Sequence, residues 1–315
     1  MIHSRPPRHT EMGLTEHQQR KHRRKKRRAT LRHLALTKLP IWLSRGRLAR
    51  RRPGGNFQVT RRALDLPNLP DELCGLRVAH LSDPHVGELV TPEHLSAAVQ
   101  AVNDLNCDLI VATGDYIDLS NSYLPAVIAA FRRLRAPLGV FFVLGNHDHI
   151  DDVRALSRAF REARLDLLVN GVAVRSCRGR TIGIAGIDWA KKRRELEALV
   201  HRTVRHLPRC DLRLLLAHHP HAFDAACDCA VDLTLSGHTH GGQVVLADGR
   251  SRRGSISLTS LTNRYPRGLY SRGPHRLHVS SGVGSWFPLR FRCPAEITEL
   301  ELVNRGAPAD EPFAV

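Results

Sequence analysis

LRVAHLSDPH, residues 76–85, is a short apolar run that stops at a carboxylate and an imidazole two positions apart. The same construction recurs: LIVATGDYID at 109–118, VFFVLGNHDH at 140–149, LRLLLAHH at 212–219 and VDLTLSGHTH at 231–240. Runs of Val, Ile and Leu of this length, closed by Gly or polar residues, read as strands buried on both faces. The expected strands are 76–81, 109–113, 140–144, 181–187, 212–217 and 231–235. Helical patterns lie between several of them, at 92–103 behind the N-cap candidate Thr91, at 124–134 and at 151–163. Strands alternating with helices require crossover connections, so the class is α/β in layers.

In open α/β sheets ligands gather at the carboxyl ends of strands. Here those ends carry Asp83 and His85, Asp115 and Asp118, Asn146 to His149, His218 and His219, and His238 and His240. Carboxylate and amide oxygens mixed with imidazole nitrogens suit Mn²⁺, Zn²⁺ or Fe, not a structural thiolate site. Residues two apart just past a strand, such as Asp83 with His85 or His238 with His240, can both turn inward where the chain leaves the sheet. Gly114, Gly145 and Gly237 are expected to let the backbone bend sharply beneath these donors.

In that order, DxH, GDxxD, GNHD, a later His and GHxH resemble the calcineurin-like metallophosphoesterase superfamily. SGHTHGGQ at 236–243, RGLY at 267–270 and the stretch 279–302 resemble its bacterial branch typified by YkuE and YaeI, over about residues 70–303. The resemblance implies a four-layer α/β/β/α sandwich and two divalent cations, Mn²⁺ foremost, with Zn²⁺ or Fe as the other choices. It implies Asp83, His85 and His240 at one cation, Asn146, His218 and His238 at the other, and Asp115 between them. His147 corresponds to the family's catalytic histidine, and Asp118 and Asp148 to residues that orient it and the site. His218 is preferred to His219 because the branch reads H-x-P. Pro84, His149, His221 and Ser281 depart from the branch pattern, and the last three are expected near the pocket rim, where they bear on substrate choice.

The charge is uneven. Residues 1–52 hold 17 Lys and Arg against 2 Glu, leaving 31 basic and 28 acidic residues for the remaining 263. The organisation expected is therefore a basic extension over 1–55, disordered through residue 28 and amphipathic beyond it, followed by the catalytic domain over 56–315. No apolar run there reaches the length of a membrane span, and no secretory signal pattern is present. Two readings of 29–52 stand side by side: a basic segment with Trp42 lying on anionic lipid, or a helix docked on the domain. The seven scattered cysteines form no CxxC pair and read as reduced thiols.

The function expected is hydrolysis of a phosphodiester or pyrophosphate by hydroxide, with His147 as general acid or as a stabiliser of phosphoryl charge. A small phosphoester, phospholipid or lipid-linked nucleotide sugar is the expected substrate. The apolar run at 283–288 and the contact of residues 20–52 with anionic membrane motivate the lipid choice, and place the protein in the cytoplasm at the inner face of the cell membrane. Two alternatives keep the basic tail as the working part: a nuclease, or a nucleic-acid-binding protein with a vestigial metal site. The near-neutral body opposes the nuclease, since a groove that tracks long nucleic acids needs its own cations, and the complete donor set, with Asp115, Asn146 and His240 all in place, opposes a vestigial site.

Overall fold

The computed structural model describes residues 16–50, 56–247, 256–257 and 263–306. It begins with α1 (Glu16–His33), a π-helical turn (Leu34–Lys38), α2 (Leu39–Leu43) and α3 (Arg47–Arg50). Disorder through residue 28 is thus corrected from Glu16 onward; residues 1–15 lie outside the described residues. Lys, Arg, Gln, Ala and Leu favour helix, and neither Gly nor Pro interrupts residues 16–39. Tertiary contacts hold the helix as well, for Lys26 Nζ lies 2.7 Å from Asp151 Oδ1.

The body opens with β1 (Phe57–Asp65), β2 (Leu76–Leu81), α4 (Pro92–Asp104), β3 (Leu109–Ala112), α5 (Leu124–Phe131), β4 (Val140–Phe142), α6 (Val153–Glu162) and β5 (Asp166–Leu167). It continues through β6 (Gly171–Cys177), β7 (Arg180–Gly186), α7 (Arg193–Val204), β8 (Leu212–Leu216), α8 (Ala222–Asp228) and β9 (Leu233–Ser236). The small hairpin β10 (Val245–Ala247) and β11 (Ile256–Ser257) precedes β12 (Gly268–Arg272), β13 (His275–Val279) and β14 (Ala295–Val303).

Two mixed six-stranded sheets result, ordered β1-β14-β2-β3-β4-β5 and β12-β13-β9-β8-β7-β6. Their inner faces meet in one core, where Val78, Leu109, Val111, Phe141 and Val143 pack against Ile182, Ile184, Leu214, Leu216, Leu233 and Leu235. The outer face of the first sheet is covered by α4, α5 and α6, and that of the second by α7 and α8. This is the α/β/β/α sandwich, and its strands are near-continuously apolar because both faces are covered. Parallel register sets the geometry of the site. Val78 pairs with Leu109 and Ile110 with Val140, so the chain leaves β2, β3 and β4 side by side. Leu216 pairs with Leu235, and β8 and β9 likewise end together.

The strands absent from the sequence reading are β1, β5, β6 and β10 through β14. β1 is largely exposed and Arg-rich, which hides any apolar run, and β6 alternates intermediate with exposed positions at an edge. The seven cysteines are all free thiols. Residues 283–288 are not an exposed apolar run: they are buried or half-buried, and the Trp286 carbonyl accepts a hydrogen bond from Thr37 Oγ1 at 3.1 Å. The basic helical segment covers them.

Candidate metal centre

Five residues at the strand ends sit in the left-handed backbone region that side chains avoid: Asp83 (φ 52°), His85 (47°), Asp115 (55°), His238 (71°) and His240 (50°). Each costs of order 1 kcal/mol or more, and such strain persists where the surrounding fold enforces it, typically at functional sites. The glycines act differently from expectation. Gly114 does take a left-handed turn (φ 92°), but Gly145 and Gly237 do not. They are needed for room: a Cβ on Gly145 would collide with Asp115 Oδ1, and one on Gly237 with Ser82 Oγ and Asp83 Oδ2.

The turns bring together two groups of donors. In the first, donor atoms of Asp83, His85 and His240 lie within 4.8 Å of one another, with His85 Nε2 and His240 Nε2 only 3.0 Å apart. In the second, Asp115, His218 and His238 meet the same limit, and Asn146 Oδ1 is 3.0 Å from His218 Nε2. Asp115 Oδ2 stands between the groups, 3.3 Å from His85 Nε2 and 3.3 Å from His218 Nε2. Of the neighbouring imidazoles it is His218 that enters the cluster; His219 stacks outside it, 4.5 Å from the His238 ring and 4.7 Å from that of His221.

His147 borders this centre, its ring edge-on to that of His85 with centroids 4.5 Å apart. Its Nδ1 is 2.8 Å from the Asp118 carbonyl, an atom that can only accept, so Nδ1 carries the proton and Nε2 is the acceptor. Asp118 Oδ1 lies 3.0 Å from the same nitrogen. Asp148 does not touch the His147 ring. It accepts the backbone N–H groups of Gly145, Asp115 and Tyr116, each at 2.8 Å, and so ties the loop after β4 to the loop after β3. Among the departures from the branch pattern, Ser281 is 2% exposed and bonded to Pro294, inside the fold and not at a rim. His149 pairs with Asp188 at 2.8 Å.

Burial works against charge on every one of these groups, and the balance differs from residue to residue. It opposes the His85 cation, yet the neighbouring Asp115 and Asp118 carboxylates outweigh it and raise the pKa to about 10. Burial likewise opposes the His218 cation, and Asp115 outweighs it to give about 9. Asp115, despite burial, is held well below the usual carboxylate range by His218 and His147. His238 and His240 are pushed well down by burial, helped by His218 for the former and by His85 and Arg290 for the latter. Asp148 rises to about 6 through burial and the neighbouring Asp115 charge. The pocket is thus a field that favours positive charge beside imidazoles kept neutral, the ligating form.

Several residues of the site escaped the sequence reading. Behind Asp83, Ser82 Oγ donates to its Oδ2 at 2.5 Å, Thr113 Oγ1 donates to Ser82 at 2.6 Å, and His80 and His278 continue the chain. Arg290, inside the fold, holds the carbonyls of Ser281 and Gly282 at 2.8 and 3.2 Å and lies 3.3 Å from His240 Nδ1. Gln243 Nε2 spans Ser285, Phe287 and Leu289, so the Gly241-Gly242 step serves a tight turn. From α1, Arg32 Nη2 reaches His147 Nε2 at 3.2 Å and His33 Nδ1 lies 3.4 Å from Asp118 Oδ2. No local pattern marks most of these contacts, because the links from Thr113, His80, His278, Arg32 and His33 join segments far apart in sequence.

Oxygen and nitrogen donors at such spacing, converging from five strand ends onto a shared carboxylate, fit divalent cations. Among known proteins, the calcineurin-like phosphoesterase family matches residues 76–242, just over half of the chain. The uncharacterized metallophosphoesterase YkuE of Bacillus subtilis is 32% identical over 252 residues, 78% of this chain and 85% of its own. Phosphodiesterase YaeI of Escherichia coli is 29% identical over 79% of this chain and 89% of its own. UDP-2,3-diacylglucosamine pyrophosphatase LpxG of Chlamydia trachomatis is 28% identical over 76% of this chain and 88% of its own. With its two facing sheets and its His and Asp clusters, the chain belongs to the calcineurin-like phosphoesterase family and is a hydrolase.

Proposed function

We propose that this hydrolase cleaves a phosphodiester or pyrophosphate bond in a membrane-associated substrate, a phospholipid or a lipid-linked nucleotide sugar. Asp83, His85 and His240 would hold one divalent cation, Asn146, His218 and His238 a second, and Asp115 both. Mn²⁺ is the cation we favour for this mixed set of three oxygen donors and four imidazoles, with Zn²⁺ or Fe as the other candidates. The observation that carries the reading is Asp115 Oδ2, equidistant at 3.3 Å from an imidazole of each group. When bound, such a pair supplies Lewis acidity to the phosphoryl oxygens and an activated water. Asp118 fixes the His147 ring through Nδ1; once Nε2 also carries a proton, its N–H would donate to the leaving oxygen or to the developing charge. Asp148 keeps the loops bearing Asp115 and Asn146 in register.

The lipid part of the proposal rests on the basic segment. Of the ten large hydrophobic residues exposed among the described residues, six fall in 31–43: Leu31, Leu34, Leu36, Leu39, Trp42 and Leu43. No helix among the described residues is long and apolar enough to cross a membrane. Apolar side chains beside a dense run of Lys and Arg suit the interface of an anionic bilayer. The relative named as a diacylglucosamine pyrophosphatase supports a pyrophosphate carrying acyl chains.

The test is hydrolysis by purified, Mn²⁺-loaded protein of a chromogenic phosphodiester, a soluble nucleotide sugar and a lipid pyrophosphate in anionic vesicles, each with and without chelator. Chelator-sensitive turnover, fastest on the vesicle-borne substrate, is expected. Absence of turnover on all three overturns the metal-centre reading; equal rates on soluble and vesicle-borne substrates overturn the membrane part alone.

A further inference from the structure

α1 does more than cover the loop at 283–288. Ala29, His33 and Thr37, one turn apart, are the buried residues of the segment, exposed by 8%, 8% and 1%. This narrow stripe lies on the rim of the centre, and with Arg32, Asp118, His147 and Trp286 it lines a cleft of only about 10 Å³. The cations on this side of the segment are mostly matched. Lys26 pairs with Asp151, His33 with Asp118 and Glu88, and Lys38 with Glu88. Arg32 differs: among the described residues no carboxylate lies within ion-pair distance of it. Its guanidinium instead lies 5.9 Å from the centre of the Trp286 ring and donates to His147 Nε2 at 3.2 Å.

We infer that Arg32 is a phosphate-binding residue, supplied to the metal centre in cis by the N-terminal helix; the inference rests on the hydrolase reading above. Three features converge. A guanidinium presents several N–H donors in a plane and matches phosphoryl oxygens, which a neutral imidazole alone does not. The Trp286 face and the anchored stripe on either side of residue 32 fix the side chain where it is, which limits the entropy lost on binding. His147, its present partner, borders the donor clusters, so a phosphoryl group bound beside that ring would compete with the imidazole for the Arg32 donors. A positive charge without an acidic partner beside a phosphoryl site neutralises the charge that the substrate carries in.

The experiment uses the full chain with Arg32→Gln and Arg32→Lys. Turnover is read on a small soluble diester, so that membrane contact plays no part, and binding of inorganic phosphate to Mn²⁺-loaded protein is read by calorimetry. Metal content and thermal midpoint are expected to match the parent. Arg32→Gln is expected to weaken phosphate binding and to lower kcat/KM by roughly 10- to 100-fold, the scale of a lost hydrogen bond to a charged group. Arg32→Lys recovers part of this, and added guanidinium ion recovers part of the activity of Arg32→Gln, which repair of a purely structural contact would not produce. Unchanged phosphate binding in Arg32→Gln overturns the inference, and so does a rise in kcat/KM, the mark of a helix that merely blocks the site. Were the parent inactive toward every ester, the function proposed above would fall, while phosphate binding would still decide the role of Arg32.

Discussion

The strand-end loops and the basic helix that lies across them are built on opposite plans. In the loops, donor residues are buried or half-buried, five of them are held in left-handed backbone, and a Cβ on Gly145 or Gly237 would strike a neighbouring side chain. In the basic segment the backbone stays helical through a π-helical turn, the buried stripe is three residues long, and the exposed side chains include Leu31, Leu34, Leu36, Leu39 and Trp42. The loops trade local stability for fixed geometry, as sites that must hold a defined constellation do. The helix trades burial for a surface that faces two ways, one toward His147 and one toward solvent. Substitutions should therefore behave very differently in the two regions.

The largest effect is expected at the atom shared by both donor groups. Asp115→Ala removes the 3.3 Å contacts to His85 and His218 together, so metal content and turnover should both collapse, by more than about 10²-fold in rate. Elemental analysis of the purified variant beside its diesterase activity checks this; full metal content would break the assignment of Asp115 as the shared ligand. His147→Ala separates chemistry from assembly. It should keep its metal and lose roughly 10²- to 10⁴-fold in kcat, with the greater loss on esters that have poor leaving groups. Undiminished turnover at equal metal content would remove His147 from the reaction.

Next comes the room made by glycine. Gly237→Ala forces a methyl into Ser82 and Asp83, so it should cost about 1–3 kcal/mol of stability and weaken metal binding, read as a lower thermal midpoint and a higher Kd for Mn²⁺. An alanine variant as stable as the parent would show that the loop after β9 is looser than its close contacts imply. A pH series sharpens the same region. A cation and a proton compete for the imidazoles of His85 and His218, whose pKa values stand at about 10 and about 9. Between pH about 6 and about 8 both imidazoles stay protonated in the metal-free protein, so the cation must displace those protons, and metal affinity should rise with pH by up to about tenfold per unit for each proton displaced. A flat profile would mean that neither imidazole binds the ion.

How much of this was legible beforehand follows from the same contrast. Asp83, Asp115, Asn146 and His238 each sit immediately after an apolar run, so strand ends and donors are local patterns that a single chain displays. The α/β/β/α layers follow from runs such as 109–112 and 214–216, which are apolar throughout because both faces are covered. β1 was not legible, since Arg61 and Arg62 interrupt it and its partner β14 lies some two hundred residues on. Nor was the role of Asp148: the sequence places it beside His147, but only the fold turns its carboxylate to the N–H groups of Asp115 and Tyr116. The basic segment was misread in part for the opposite reason. Its charge suggested a disordered chain, while the contacts that order it, with Asp151, Asp118 and Trp286, come from remote loops.

The smallest expected effect discriminates best between the two faces of the helix. Trp42 and Leu43 are 74% and 66% exposed and lie on the side away from the buried stripe, so replacing both with Ser should change stability by no more than about 0.5 kcal/mol. Soluble-diester activity should stay at the parent level, because neither side chain approaches the donors. Sedimentation with anionic vesicles, in contrast, should fall clearly, since an interfacial helix is held by its apolar side chains as well as by charge. Thr37→Ala, on the inward face, should give the reverse: vesicle binding retained, and about 0.5–1.5 kcal/mol of docking lost with the bond to the Trp286 carbonyl. If Trp42 and Leu43 proved important for stability and irrelevant to vesicles, the outward face would be packing against protein, and the lipid side of the comparison would fail while the metal centre stood.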